Sequence, residues 1–198
     1  MCVMNKFRFV AYLICAVLMF SSFDLQKCTD ALQKAYEDKD YKAYVNAFPD
    51  KYEDFVNVYG YDSKDRQKKV LYDVYVEHLC FLFDNDLVLD DSVLDKLLNL
   101  SYNYIWDADA VEYVIMRTKQ LLLEHPQRMT EYFSEKTDGE VTSFLQMALT
   151  CLIPEDQGYL SKYHKLVETY TPYSNRIVQC LKIALKRAKK ASDVLVVY

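Results

Sequence analysis

The chain has 198 residues, 52% of them hydrophobic, 27% charged and 15% aromatic, with 3 Gly and 4 Pro. This is a globular composition, and it excludes disorder and collagen-like repeats. One domain is the default at this length, and so few glycines leave little material for the tight turns of a sandwich or barrel, which favours helices.

The first residues read as a targeting segment. Lys6 and Arg8 precede an uncharged run from Phe9 to Phe23, most apolar over Phe9 to Phe20, and Ser21-Ser22 and Asp24 follow. That order is the charged, apolar and small-residue sequence of a secretory signal, and the run is short for a membrane span of about 20 residues. Residues 1–22 are therefore expected to be a signal peptide or, as the alternative, an uncleaved N-terminal anchor, with 23–198 one helical domain. The expected location is the periplasm or cell envelope of a bacterium.

Along the rest of the chain helical periodicity dominates. Thr29 or Asp30 is expected to cap a helix to about Glu37, Asp40 a second to about Phe48, and Pro49-Asp50 opens a third with Pro in its first turn, closed by Gly60. From about Lys64 the apolar set Val70, Leu71, Val74, Tyr75, Leu79, Leu82 and Phe83 keeps the 3, 4 spacing of one helix face. Asp90-Asp91-Ser92 caps the next, with Val93, Leu94, Leu97, Leu98 and Tyr102 inward. Trp106-Asp107 marks the start of a helix from Ala108 to about Glu124, which Pro126 ends. Asp138-Gly139 separates a short following helix from Glu140 to Ile153, and Pro154 stops the run. Two more lie near Tyr159 to Tyr170 and Tyr173 to Ser192, and Val194 to Tyr198 are β-prone. The expected fold is all-α, a single compact domain of eight or nine helices, with a short α-solenoid as the alternative.

Charge is uneven. Without residues 1–22 the net charge is −7, and residues 23–175 carry −12, whereas Arg176, Lys182, Lys186, Arg187, Lys189 and Lys190 form a basic stretch with no acid between them. An acidic body disfavours nucleic-acid binding. The basic end reads as cations complementing a helix dipole, and membrane contact is expected only through the N-terminal segment, if that is uncleaved.

Little chemistry is encoded locally. Gly60, Gly139 and Gly158 are isolated, so no phosphate cradle is formed. His78, His125 and His164 show no ligand spacing, and no metal or cofactor is expected. Asp84-Asn85-Asp86 begins like a calcium loop but continues with Val88 and Leu89, and reads as a helix-end turn. No nucleophile motif occurs, so no catalytic residue is assigned and the chain is expected not to be an enzyme. Cys28, Cys80, Cys151 and Cys180 remain after export; a disulfide among them is plausible, although three sit in apolar helical stretches where a thiol is a small core residue.

Tyrosine is unusually frequent, 18 in all. Its ring buries apolar area while its hydroxyl stays hydrated, which suits protein interfaces. The front-half tyrosines with neighbouring acids give the expected partner surface: Tyr52, Glu53, Asp54, Tyr59 and Tyr61.

Three stretches, Ala47-Phe48-Pro49-Asp50-Lys51-Tyr52-Glu53-Asp54-Phe55 leading to Tyr59-Gly60-Tyr61, then Leu71-Tyr72-Asp73 to Phe83, then Trp106-Asp107-Ala108-Asp109-Ala110-Val111, resemble a group of small, mostly uncharacterised helical bacterial proteins. Some of that group are associated with immunity to antibacterial toxins. The resemblance covers about residues 40–125 and implies a helical, non-catalytic protein that binds a protein partner such as a toxin. A cell-envelope hydrolase and a structural scaffold of the envelope are the alternatives.

Overall fold

The computed structural model describes residues 24–62, 64–102, 109–150 and 158–195. Within them the fold is all-α, with ten helices and one minimal strand pair. Asp24 caps α1 (Leu25–Glu37) by accepting from the Lys27 amide, and Asp40 caps α2 (Tyr41–Ala47) through Ala43. Then come α3 (Tyr52–Tyr59), the strands β1 (Tyr61–Asp62) and β2 (Gln67–Lys68), a 3-10 turn Tyr72–Val74 and α4 (Tyr75–Phe83). After a second 3-10 turn, Asp86–Leu89, follow α5 (Asp91–Leu100), α6 (Ala110–Glu124), α7 (Pro126–Ser134), α8 (Asp138–Leu149), α9 (Gly158–Tyr170) and α10 (Asn175–Leu195).

The last five helices are organised round α8. Val141, Thr142, Phe144, Leu145, Met147, Ala148 and Leu149 are all buried, so α8 is covered on nearly every side, by α10, α9, α6 and α5. A helix apolar all round belongs in the middle of a protein. Its start is fixed by a reciprocal capping box between Thr137 and Glu140, which satisfies two amides that would otherwise lack partners. Arg176, at the start of α10, donates to the Asp138 carboxylate and to the Phe133 and Lys136 carbonyls, and so ties α10 to the end of α7 and the start of α8.

In the front half α1, α2, α3 and α4 pack on one another, and α3 reaches α5. One cluster of buried apolar side chains runs from Leu32 to Ala188, so the front and rear helices share a core. Tyrosine hydroxyls cross between elements inside it: Tyr41 donates to the Leu82 carbonyl at 2.8 Å, Tyr170 to the Leu122 carbonyl at 3.0 Å and Tyr132 to Asp95 at 2.7 Å.

Several sequence expectations are corrected. The first helix begins at Leu25, because Asp24 supplies the cap in place of the expected Thr29 or Asp30. Pro49 lies before the Lys51 cap of α3 rather than in its first turn. The long helix expected from Lys64 is a hairpin and a 3-10 turn before α4, and Val70 is exposed. The cause is local: Gly60 leaves α3 with its amide on the Val56 carbonyl, and its own carbonyl accepts from Lys69, which closes the hairpin. Pro126 ends α6 by starting α7 at its first position, where a missing amide proton costs nothing. Asp138 and Gly139 form the first turn of α8 and not a break. Tyr102 lies past the end of α5 and is exposed, and the last helix starts at Asn175 and carries on through Val194 and Leu195. The helix starts expected at Trp106-Asp107 and the stop at Pro154 fall outside the described residues, as do residues 1–22 and Cys151.

Candidate functional site

The expected partner surface divides in two. Tyr59 is 0% exposed and is corrected to a core residue, because α3 turns its Phe55, Val58 and Tyr59 face inward. Tyr52 and Asp54 are half-buried, while Glu53 and Tyr61 reach solvent. A shallow cleft of about 350 Å³ is lined by Asp50, Lys51, Tyr52, Glu53, Asn99 and Tyr102. It lies where the turn before α3 meets the end of α5, so Asn99 and Tyr102, which the sequence reading did not assign to the site, belong to it. Tyr61 does not line it.

Lys96 builds the cleft's wall. Its ammonium, with a side chain only 13% exposed, pairs with Asp50 at 2.8 Å and donates to the Phe48 carbonyl at 2.7 Å. A mostly buried cation needs such partners, and here they hold the Phe48-Pro49-Asp50 turn against α5. Partial burial pushes the Asp54 carboxyl up, with Lys51 acting in the opposite sense and Glu53 and Asp50 adding to the rise. Burial, reinforced by Asp54 and partly offset by Lys96, raises the Cys28 thiol to about 11. Cys28 is thus protonated at neutral pH and donates to the Ala47 carbonyl at 3.4 Å. A protonated thiol is a poor nucleophile.

Between α2, α3 and α4 lies a closed hydrogen-bond ring. Tyr44 Oη is 3.1 Å from the His78 carbonyl and 3.0 Å from Tyr59 Oη, which is 3.2 Å from His78 Nδ1. Each hydroxyl has one proton, so one arrangement satisfies all three contacts. His78 Nδ1–H donates to Tyr59, Tyr59 to Tyr44, and Tyr44 to the His78 carbonyl. That tautomer leaves Nε2, which has no partner, as a bare lone pair among apolar groups. A buried N–H there would be the costlier choice. Burial lowers His78 to about 4, with Glu77 acting against the shift and Lys39 adding to it. The imidazole is therefore neutral and structural at pH 7.

His125 sits at the α6–α7 junction between two shallow grooves, one with Asp84, Asp86, Arg117 and Glu124, the other with Arg128, Glu131 and Tyr173. The Asp84-Asn85-Asp86 run caps and turns: Asp84 pairs with Arg117, and Asn85 accepts from the Leu87 amide. Among the described residues no group of three or more His, Cys, Asp or Glu side chains is placed to hold a metal ion. Cys28, Cys80 and Cys180 are free thiols; Cys80 meets Tyr113 Oη at 3.0 Å, so no disulfide joins these three.

The fold and the cleft define an all-α protein with a small surface hollow edged by two tyrosines. Comparison with protein-family models, with curated proteins and with solved structures finds no match to this chain.

Proposed function

We propose that this is an exported helical protein that acts by binding, in the manner of an immunity protein that occupies a toxin, without catalysis of its own. The observation that carries the reading is the cleft edge. Tyr52 and Tyr102 flank it, Asp50 and Glu53 supply its negative charge, and Lys96 clamps its wall. Tyrosines on a rigid frame are effective interface anchors, because a large amphipathic ring is ordered at small entropic cost. The surrounding acidity, −12 over residues 23–175, selects a basic partner surface and speeds encounter with it.

The test is co-expression in the periplasm with candidate toxins encoded beside the gene, followed by pull-down and association kinetics on the toxin that is captured. Protection is expected, with Tyr52→Ala speeding dissociation and added salt slowing association, because screening acts over a Debye length of about 8 Å at physiological ionic strength. Neither protection nor capture with any neighbour rejects the reading, and cleavage of cell wall by the purified protein replaces it with a hydrolase.

A further inference from the structure

The helix-dipole explanation of the basic stretch fails on the structure. α10 continues to Leu195 and has no basic residue in its last turn, and the dipole effect is confined to that turn. Lys182, Lys186, Arg187 and Lys190 stand in mid-helix, all exposed, and none has an ion-pair partner among the described residues. The opposite side of α10 is held in the core by Ile177, Cys180, Leu181, Ala184 and Ala188. At about 100° per residue, Lys182, Lys186, Lys190, Ile183 and Arg187 fall in order across an arc of roughly 140°, centred nearly opposite that buried stripe. Ile183, 45% exposed, lies between Lys190 and Arg187. Over residues 158–192 there are eight basic side chains and one acid, Glu168, while the remainder of the body is strongly acidic.

We propose that the solvent face of α10 docks on an anionic lipid bilayer surface. A face of cations around an apolar side chain, on a helix fixed flat against its own protein, matches the plane where acidic headgroups meet acyl chains. Three of these four exposed cations are lysines, flexible point charges that suit a diffuse anionic plane. A specific protein interface favours arginine's fixed fork and is depleted in lysine. A nucleic-acid groove fits less well, because α10 is packed between α8 and α9 and does not protrude as a groove-entering helix must. The acidic body is repelled by the same membrane, so the molecule is oriented with the solvent face of α10 toward the bilayer.

The experiment is vesicle flotation of the full chain on phosphatidylcholine vesicles with and without 30% phosphatidylglycerol, beside titration of a duplex oligonucleotide. Each cation near an anionic surface multiplies binding by about five. The variant Lys182→Gln/Lys186→Gln/Arg187→Gln/Lys190→Gln is expected to lose about 600-fold in partitioning to anionic vesicles, with its circular dichroism unchanged because all four side chains are exposed. Removing four exposed cations elsewhere (Lys27→Gln/Lys42→Gln/Lys64→Gln/Arg66→Gln) should leave most of the binding, and raising salt should abolish it in the wild type. Equal binding to neutral and anionic vesicles, which insertion of the Phe9 to Phe20 run alone would give, overturns the proposal. So does undiminished binding by the α10 variant, and so does tighter binding to the duplex than to lipid at equal phosphate concentration.

Discussion

Lowering the pH from 7 to 5 should destabilise the fold chiefly through His78. Its folded value of about 4 lies below the ordinary 6.5, so the unfolded chain takes up a proton that the folded chain refuses. The stability it supports is present above about 6.5 and is lost as the pH falls toward about 4. At pH 5 nearly all unfolded imidazoles but only about a tenth of folded ones are protonated, a difference of about 2 kcal/mol, or about 1.5 after allowance for solvent screening. The depressed carboxylates Asp62, Asp95 and Glu140 carry the same sign but act below about pH 4.5, outside this window. The assay is urea unfolding at pH 7 and pH 5. With a slope of about 2 kcal/mol per molar, the midpoint should fall by roughly 0.7 M in the wild type. In His78→Leu the fall should largely disappear, whatever the variant's stability at pH 7. An equal fall in both proteins would refute the neutral His78 ring, as would titration of the His78 ring itself near 6.5 followed by NMR in the folded state.

Three further outcomes follow from the packing. Gly60→Ala places a methyl 2.5 Å from the Val56 carbonyl oxygen, which is backbone and cannot yield, so chemical denaturation should show a loss of about 1–3 kcal/mol. Tyr59→Ala should cost about 3–5 kcal/mol by emptying a core position, whereas Tyr52→Ala should cost much less, a contrast that thermal melts will read directly. Thr137→Ala removes the cap of α8 and should cost about 1 kcal/mol, seen as a lower urea midpoint with unchanged slope.

Helix class, most helix ends and the inward stripe of α5 were legible in the sequence, because they depend on spacing along a few turns: Asp40 before α2 and Val93, Leu94, Leu97 and Leu98 in α5 need no distant partner. The hairpin between α3 and α4 was not legible, since the apolar set Val70 to Phe83 fits a helix equally well, and only the Gly60–Lys69 bond across the turn decides against it. The candidate site was half legible. Tyr52 and Glu53 were named from composition and line the cleft, as Asp54 and Tyr61 do not, but Asn99 and Tyr102 come from α5 and its end, and no local signal brings residues nearly fifty positions apart to one cleft.

Tyrosine marks the division between the two kinds of information. Sequence alone established that the chain carries many amphipathic rings and that its charge is split between an acidic body and a basic last helix. Tertiary structure decided which rings are core. Tyr44, Tyr59 and His78 lie on three different helices, and their polar atoms become a closed ring only when those helices pack. It also separated the basic stretch from the dipole's end, because a helix that runs on to Leu195 instead of ending at Ser192 leaves Lys189 and Lys190 short of the last turn. A side chain's type is written in the chain, but its solvent, its hydrogen-bond partner and therefore its charge state are set by neighbours that only folding brings together.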